Sequence, residues 1–382
     1  MIRICYVVDA PFLGGAELYI SRLIAALDGR GFRASVLMRR DVRDARLVEW
    51  AQALGARGVN VVTVPMRLPW MPLDAWRIYR ALEPLAPHIV HVNMPGPYDG
   101  QFGLVLPIAR AVGARTVVTE HLPMVPRLWK RALVKRIGYR FLDVAVTMTH
   151  ANAGYLVGQQ GVPAWKVRVI PNGIPRAFGA IENARQRRWE LRLRDSQVLI
   201  AHIGNILPHK GLRRLIEAMS KARSRAGLHL VVAGTGSDEA ACRQLAADRG
   251  LAAQVTFLGW ISADETEAIL AASNVLALPS EWEGMPYVLL EAMACARPVI
   301  AGRVFGIPEV VDDGVTGVLV DPLRIDEIAH ALDRLADAEL REKMGAAARD
   351  RFERMFTLEQ HAERMQTLYR SLVNGSTDAS LA

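Results

Sequence analysis

Short β-branched runs separated by helix-length segments recur along the whole chain, and this alternation limits the fold more than any other feature. IRICYVVD reads as a first strand, and GAELYISRLIAALDGRG reads as a helix that stops at Gly31. RASVLMRR, NVVTVPM, HIVHVN, ARTVVTEH and DVAVTMT follow as further strands. Such alternation predicts a parallel sheet with helices on both faces. VRVIPNGIP (167–175) reads as a crossover turn, and the series then restarts. VLIAHIGNI, LHLVVAGTG, VTFLGWI, VLALPS, RPVIAGR and GVLVD form a second set of strands. The expected fold class is α/β, with two doubly wound, Rossmann-like domains facing each other across a cleft. The predicted boundaries are 1–170 for the first domain and 171–351 for the second. Residues 352–382 are expected to pack a last helix back toward the first domain and to end in a frayed polar tail, NGSTDASLA. Ligands of such sheets bind outside the carboxyl ends of the strands.

The 382 residues suit about two domains of ~150 each. A hydrophobic fraction of 51% and a charged fraction of 23% are ordinary for a globular chain. No apolar stretch approaches the ~18–20 residues of a membrane span. The opening MIRICYVVDAPFLGGAE carries Asp9 and Glu17 and reads as strand and loop, not as a signal peptide. Cys5, Cys242 and Cys295 are three, with no metal-site spacing, and read as reduced buried thiols of a cytoplasmic protein. The net charge of +8 is uneven. Residues 1–170 hold 22 Lys or Arg against 11 Asp or Glu, whereas residues 171–382 hold 25 against 28. A basic half suits an anionic partner. No zinc-finger, helix-turn-helix or RNA-binding signature points to nucleic acid.

The stretch EWEGMPYVLLE (281–291) sets Glu283 and Glu291 at the two ends of a Gly, a Pro and an apolar run. NVLALPS is a strand, so 280–285 is the loop at its carboxyl end. Pro286 fits the first residue of the next helix, where its missing N–H costs nothing. The N–H groups of Gly284, Met285 and Tyr287 then form an anion site suited to a phosphate. Glu283 flanks that anion. Glu291, inside the helix, suits a diol such as a ribose, because a carboxylate accepts from two hydroxyls at once. GNILPHKG (204–211) is a second strand–glycine–helix loop, and Lys210 in it can meet a phosphate as a point charge. FLGG (12–15) is a third, in the other domain, where Gly14 and Gly15 let the backbone come close to a ligand. One N-terminal helix acid and one surface acid would also satisfy the Glu283–Glu291 spacing. Three such loops together favour the binding site.

These residues, with TEH (119–121), VIPNGI (169–174), VVAGTG (231–236), FLG (257–259), GIPEVV and DGVTGVLV (306–320), resemble the retaining glycosyltransferases of family 4, which have the GT-B fold. The Glu-x7-Glu pair of that family is met by Glu283 and Glu291. The resemblance implies a hexosyltransferase that takes its sugar from a nucleotide-diphosphate donor, UDP-sugar before GDP-sugar. It implies retention of the anomeric configuration and no cofactor or metal, and the sequence has no Asp-x-Asp element. Lys210 would neutralise the diphosphate, with the helix start at Gly284, Met285, Pro286 and Tyr287. Glu291 would hold the ribose and Glu283 would face the transferred sugar. Gly259, Trp260 and Ile261 would lie along the nucleobase. Gly14, Gly15, Asn205 and Gly234 complete the donor contacts. His121, Glu283 and Lys210 are the expected catalytic residues, His121 through a hydrogen bond to a sugar hydroxyl. The acceptor would be a glycan or a lipid-linked sugar in surface polysaccharide or lipopolysaccharide assembly.

Two positions depart from the family. Asn205 stands where an Arg is usual, which removes a cation from the diphosphate, with Arg303 as the nearest substitute in sequence. Phe305 stands where the first of two glycines is usual. These departures keep open a second reading, a nucleotide-sugar binder that is weakly active or a non-catalytic partner of another transferase. A third is another GT-B enzyme, such as a sugar-nucleotide epimerase or a phosphorylase, and no cofactor-lysine motif supports a phosphorylase.

RLWKRALVKRIGYRF (127–141) puts Trp129, Leu133, Ile137 and Phe141 on one helical row and Arg127, Arg131 and Lys135 on another, with Lys130 nearby. MRLPWMPLDAWRIYRAL (66–82) repeats the mixture with Trp70 and Trp76. Trp70, Arg127, Trp129, Lys130 and Arg131 are the expected acceptor-side or membrane-facing residues. A helix packed on its own sheet with a solvated basic face is the plainer alternative. The expected location is the cytoplasm, with peripheral docking on the inner face of the plasma membrane.

Overall fold

A computed structural model describes residues 1–10, 12–65, 72–94, 96, 105–122, 129–177, 187–188, 190–191, 194 and 196–375, without the side chains of 72, 130 and 131. The chain forms two units, Met1–Asn172 with Leu358–Ala382, and Gly173–Thr357.

Unit 1 holds β1 (Ile2–Val8), β2 (Phe32–Arg39), β3 (Asn60–Val64), β4 (Ile89–Met94), β5 (Arg115–Glu120), β6 (Val144–Thr147) and β7 (Val167–Val169). All pair in parallel, in the order β3-β2-β1-β4-β5-β6-β7. Residues 167–169, read from sequence as part of a crossover turn, are therefore the edge strand. The run is too short to signal a strand alone, and pairing with β6 supplies what its length does not. β4 is buried at all six positions, which is why IVHVNM is almost continuously apolar rather than alternating. Its core joins Val90, Val92, Val118 and Leu156, among others.

Unit 2 holds β8 (Val198–Ile203), β9 (Leu228–Ala233), β10 (Val255–Gly259), β11 (Val275–Leu278), β12 (Val299–Gly302) and β13 (Gly317–Val320), in the order β10-β9-β8-β11-β12-β13, again parallel. The helix Leu212–Lys221 buries Leu212, Leu215, Ile216 and Met219. That i, i+3, i+4, i+7 stripe packs on β8 and β9 in one core. Full burial of each Leu or Ile contributes about 1.5–3 kcal/mol.

The second change of unit comes at Thr357/Leu358. The sequence boundary at 352 falls inside the helix Ala338–Met355. Its polar surface continues past 352, and the break at Phe356 carries no Gly or Pro to mark it. The helix Leu358–Asn374 packs on the helix Gly15–Leu27 through His361, Met365, Leu368 and Tyr369, among others. Cys5, Cys242 and Cys295 are buried free thiols, each pushed up to about 12 by burial. Among the described residues no helix is long and apolar enough to cross a membrane.

Candidate active site

In a doubly wound sheet the strand order reverses at one place, and a crevice opens between the loops on either side of it. In unit 2 the reversal lies between β8 and β11, which are neighbours although three strands apart in the chain. The loops leaving their carboxyl ends are 204–211 and 279–286, the GNILPHKG and EWEGMP segments. These loops run in near contact. Gly211 has φ +79, and a Cβ there would lie 2.1 Å from the Pro279 carbonyl oxygen. Glu281 N–H donates to the His209 carbonyl at 2.8 Å. The His209 and Trp282 rings stack at 3.6 Å between centroids, 12° from parallel.

That clamp brings the two charged residues together. Lys210 Nζ lies 2.5 Å from Glu283 Oε1, which also accepts from Ser280 Oγ at 2.9 Å. Glu283 is buried and Lys210 is half-buried. Beside them Arg214 pairs with Glu281 at 2.7 Å. His202 is enclosed under the same loops, its Nδ1 donating to the Ala277 carbonyl at 2.9 Å. Burial, chiefly, pushes its pKa down to about 4, so it is neutral at physiological pH.

Glu291 is buried on the helix Tyr287–Ala294, with Met285 buried ahead of it. Pro286 is not the first helical residue. It is the N-cap, with ψ 132, and its carbonyl accepts from Leu289 N–H at 3.2 Å. The extended ψ keeps Pro286 outside the helix, so of the three amides named from sequence only that of Tyr287 belongs to the helix. Gly284 and Met285 sit on the loop before it. Trp260 is exposed and Ile261 half-buried after β10, and Gly234 N–H donates to the Gly259 carbonyl at 2.6 Å, tying that loop to β9. Asn205 is exposed.

Arg303, read as the nearest substitute for the cation missing at Asn205, is held by two partners. Its guanidinium donates to Asp313 at 2.7 Å and to the Leu319 carbonyl at 3.0 Å. Phe305 adopts φ +44, the left-handed region that costs a bulky side chain about 1–3 kcal/mol. Gly306 has an ordinary φ of −84. The position that asks for glycine is therefore the one this chain fills with phenylalanine.

In unit 1 the reversal lies between β1 and β4. Gly14 caps the helix Gly15–Leu27, and its N–H is taken by Glu17 Oε2 at 2.9 Å. Burial raises the Glu17 pKa to about 7. A phosphate would have to compete with that carboxylate for the Gly14 amide. His121 follows β5, its Nε2 2.8 Å from Asn93 Oδ1. Asn93 Nδ2 donates to the Ala16 carbonyl at 3.1 Å, so Oδ1 is the acceptor and His121 Nε2 carries the proton. Nδ1 is left as an acceptor. Burial lowers the His121 pKa to about 3. The Tyr19 ring meets His121 edge-on at 5.0 Å and His361 at 5.3 Å. His361 donates to the Pro171 carbonyl at 2.7 Å, and His91 bridges Tyr369 and Thr119 at 2.6 Å each.

Sequence reasoning named His121 but missed His91 and His361 beside it. His91 was findable as a polar residue inside a doubly buried strand. His361 was not, because only tertiary packing brings a helix from the end of the chain beside β4 and β5. The basic helix also differs from its reading. Lys135 is buried and paired with Glu120 at 2.8 Å, not part of a solvated basic row. Trp129 is exposed, Trp70 and Arg127 lie outside the described residues, and the side chains of Lys130 and Arg131 are not described.

Residues 13–178 match the family model Glycosyltransferase Family 4, and residues 183–351 match Glycosyl transferases group 1. The chain is 30% identical over 361 residues to the GDP-mannose-dependent alpha-(1-6)-phosphatidylinositol monomannoside mannosyltransferase of Mycobacterium tuberculosis, covering 89% of this chain and 90% of that one. It is 29% identical over 369 residues to the D-inositol 3-phosphate glycosyltransferase of Acidothermus cellulolyticus, covering 88% and 81%. Its fold matches that of the Anabaena protein HepE, solved in complex with UDP and glucose, with a TM-score of 0.84, 19% identity and coverage of 97% and 100%. Both halves carry the family's signature and one relative matches along nine-tenths of its length, so the chain belongs to glycosyltransferase family 4 and is a glycosyltransferase with the GT-B fold.

Proposed function

We propose that the protein is a retaining, metal-independent hexosyltransferase that moves sugar from a nucleotide-diphosphate donor to a hydroxyl of a glycan or lipid-linked acceptor, in surface glycan assembly at the inner face of the plasma membrane. The observation that carries this reading is the Lys210–Glu283–Ser280 group at the strand-order reversal of unit 2. Without donor, Glu283 is the anion that Lys210 holds. An arriving diphosphate takes over Lys210 and frees the Glu283 carboxylate to accept from sugar hydroxyls. As the bond from the anomeric carbon to the diphosphate breaks, its electron pair leaves with the phosphate, the acceptor oxygen bonds to the anomeric carbon on the same face, and the hydroxyl proton passes to the departing phosphate oxygen. Lys210 and the amides before the helix Tyr287–Ala294 stabilise that charge in place of a metal. Glu291 takes the ribose hydroxyls, Trp260 and Ile261 flank the base, and His121 Nδ1 accepts from a sugar hydroxyl. The family resemblance puts UDP first. The mycobacterial relative's GDP-mannose supports GDP with equal force, because it comes with 30% identity along the chain.

The test is thermal stabilisation by UDP, GDP, ADP and dTDP, each with and without Mg²⁺. A nucleotide at about 100 times its dissociation constant adds about 2.7 kcal/mol. One nucleotide should raise Tm, with no effect of Mg²⁺. A rise that depends on Mg²⁺ refutes the metal-free reading. Asn205, in place of a cation, favours the weakly active partner as the second reading. Slow donor hydrolysis that vanishes in Lys210→Ala decides for the transferase. Nucleotide binding without hydrolysis or transfer decides for the partner.

A further inference from the structure

We propose that Asn93 is a positioning residue that locks the proton of His121 on Nε2, so that the imidazole only accepts, at Nδ1, and the transferred sugar must present a hydroxyl to it. This deepens the sugar contact of the proposed function and rests on that reading.

Asn93 is a polar residue in a strand buried at all six positions, and it is 1% exposed. A buried amide is costly unless both of its ends find partners. Asn93 lies two residues after His91, so both stand on one face of β4. His91 spends its two ring nitrogens on Tyr369 and Thr119. Asn93 spends its amide on joining the start of the helix Gly15–Leu27 to His121. Nδ2 donates to the Ala16 carbonyl at 3.1 Å, and Oδ1 accepts from His121 Nε2 at 2.8 Å. The Ala16 carbonyl fixes the amide, because the opposite flip would set Oδ1 against another acceptor oxygen. The His121 main chain is held as well, its N–H donating to the Met94 carbonyl at 3.1 Å. One residue of β4 thus sets the tautomer of His121, and the next anchors its backbone. Ala16 follows Gly14 and Gly15, so the same amide also ties His121 to the glycine loop.

The surroundings keep that tautomer. Tyr19 meets the ring edge-on, His361 lies across Tyr19, and His91 is near enough to feel its charge. All are uncharged at neutral pH, because burial lowers the three imidazoles and raises the Tyr19 phenol. Glu17, beside Ala16, is turned to the Gly14 amide. Among the described residues no carboxylate acts on His121 to draw a second proton onto it. A neutral imidazole protonated at Nε2 offers one acceptor and no further donor. A sugar hydroxyl satisfies Nδ1. A carboxylate in the same place brings no proton, so the lock selects a sugar with a hydroxyl there over a uronate that carries its acid group there.

The experiment is ¹⁵N NMR of the full chain with labelled histidine, the His121 signals being assigned by their loss in His121→Gln. The wild type should show a protonated Nε2 and a bare Nδ1, unchanged from pH 8 to 5. A proton on Nδ1 in the wild type overturns the proposal without any variant. Asn93→Asp keeps the acceptor and adds a charge, which raises the pKa of the imidazole facing it. His121 should then titrate in that range. Turnover of UDP-glucose or GDP-mannose by this variant should fall with pH relative to wild type, as the new proton fills Nδ1. Turnover that ignores pH while His121 titrates shows that Nδ1 does not meet the sugar, and overturns the proposal. Asn93→Leu should lower kcat about 10²-fold, the cost of misplacing a reacting group by about 1 Å, while Tm shifts induced by UDP or GDP persist. Wild-type kcat in Asn93→Leu also overturns it. Wild type with the expected tautomer and no turnover of either donor refutes the transferase reading, and the sugar contact with it. Turnover with a proton on Nδ1 refutes the role of Asn93 alone.

Discussion

The two units place their neighbours-in-space by the same rule, with the first strand beside the fourth, yet they furnish that place differently. Unit 2 sets a lysine against a carboxylate under two loops held by glycine crossings and an aromatic stack. Unit 1 sets buried neutral imidazoles among tyrosines, with a glutamate on the amide that its glycine loop offers. Under the proposed function, the first exchanges an internal anion for an external one. The other is built to stay uncharged and to present hydrogen-bond acceptors. Strand order decides where a site lies, and the local side chains decide its charge.

The contrast can be broken most forcefully in unit 2. Lys210→Ala should lower kcat by about 10²–10³, the loss seen when one charge-stabilising donor is removed. Glu283→Gln should lower transfer while nucleotide-induced Tm shifts persist, because it removes a sugar contact and leaves the cation. Loss of nucleotide binding in Glu283→Gln would show that the carboxylate positions Lys210 instead. In unit 1 the largest effect is on stability. Lys135→Ala leaves Glu120 charged and buried, and should cost about 3–5 kcal/mol by denaturant unfolding. Lys135→Met/Glu120→Gln should cost far less. Equal losses in the single and double variants would mean that the pair does not fix the helix.

A third test uses protons. His91, His121 and His361 are held down to about 3, 3 and 4, first by burial, so their imidazole resonances should not titrate between pH 8 and 5. Each is protonated more readily unfolded than folded, so its contribution is complete above about pH 6.5 and is lost as pH falls toward the folded value. Asp9 and Glu17, raised by burial to about 6 and 7, act with the opposite sign as pH falls from 7 to about 4. Acid loss in unit 1 should therefore steepen once those carboxyls are protonated in both states. Unit 2 responds with the same sign through His202, at about 4, and through His209 and His229, which burial lowers as well. The smallest effect is expected at Phe305. Phe305→Gly should raise stability by about 1 kcal/mol, by relieving φ +44. A loss would show that the ring has contacts that outweigh its backbone strain.

Much of the architecture was legible in the sequence because buried parallel strands are nearly pure apolar runs, and both sheets announce themselves that way. That Lys210 and Glu283 share one site was legible because both sit on loops at the carboxyl ends of strands, but their direct contact was not. What was not legible depends on distant partners. β7 needed β6 to be a strand. Pro286 looks the same at an N-cap as at a first helical position. Lys135 reads as a surface cation until Glu120 is known to lie beneath it. The family pattern located Phe305, but only the backbone angle shows that its position is the one that asks for glycine.

The chain enters unit 2 after Asn172 and leaves it after Thr357, where Ile174 and Phe356 are hydrogen-bonded side by side at 3.1 Å. Unit 2 is thus one uninterrupted segment, whereas unit 1 waits for the helix Leu358–Asn374 to supply Tyr369 to Tyr6 and His91. On the ribosome, domains usually complete in the order in which they are made. Here the half that begins first must finish last. Its imidazole cluster stays uncovered through the synthesis of the entire second half, and a nascent chain halted before residue 358 would carry a finished unit 2 on an unfinished unit 1.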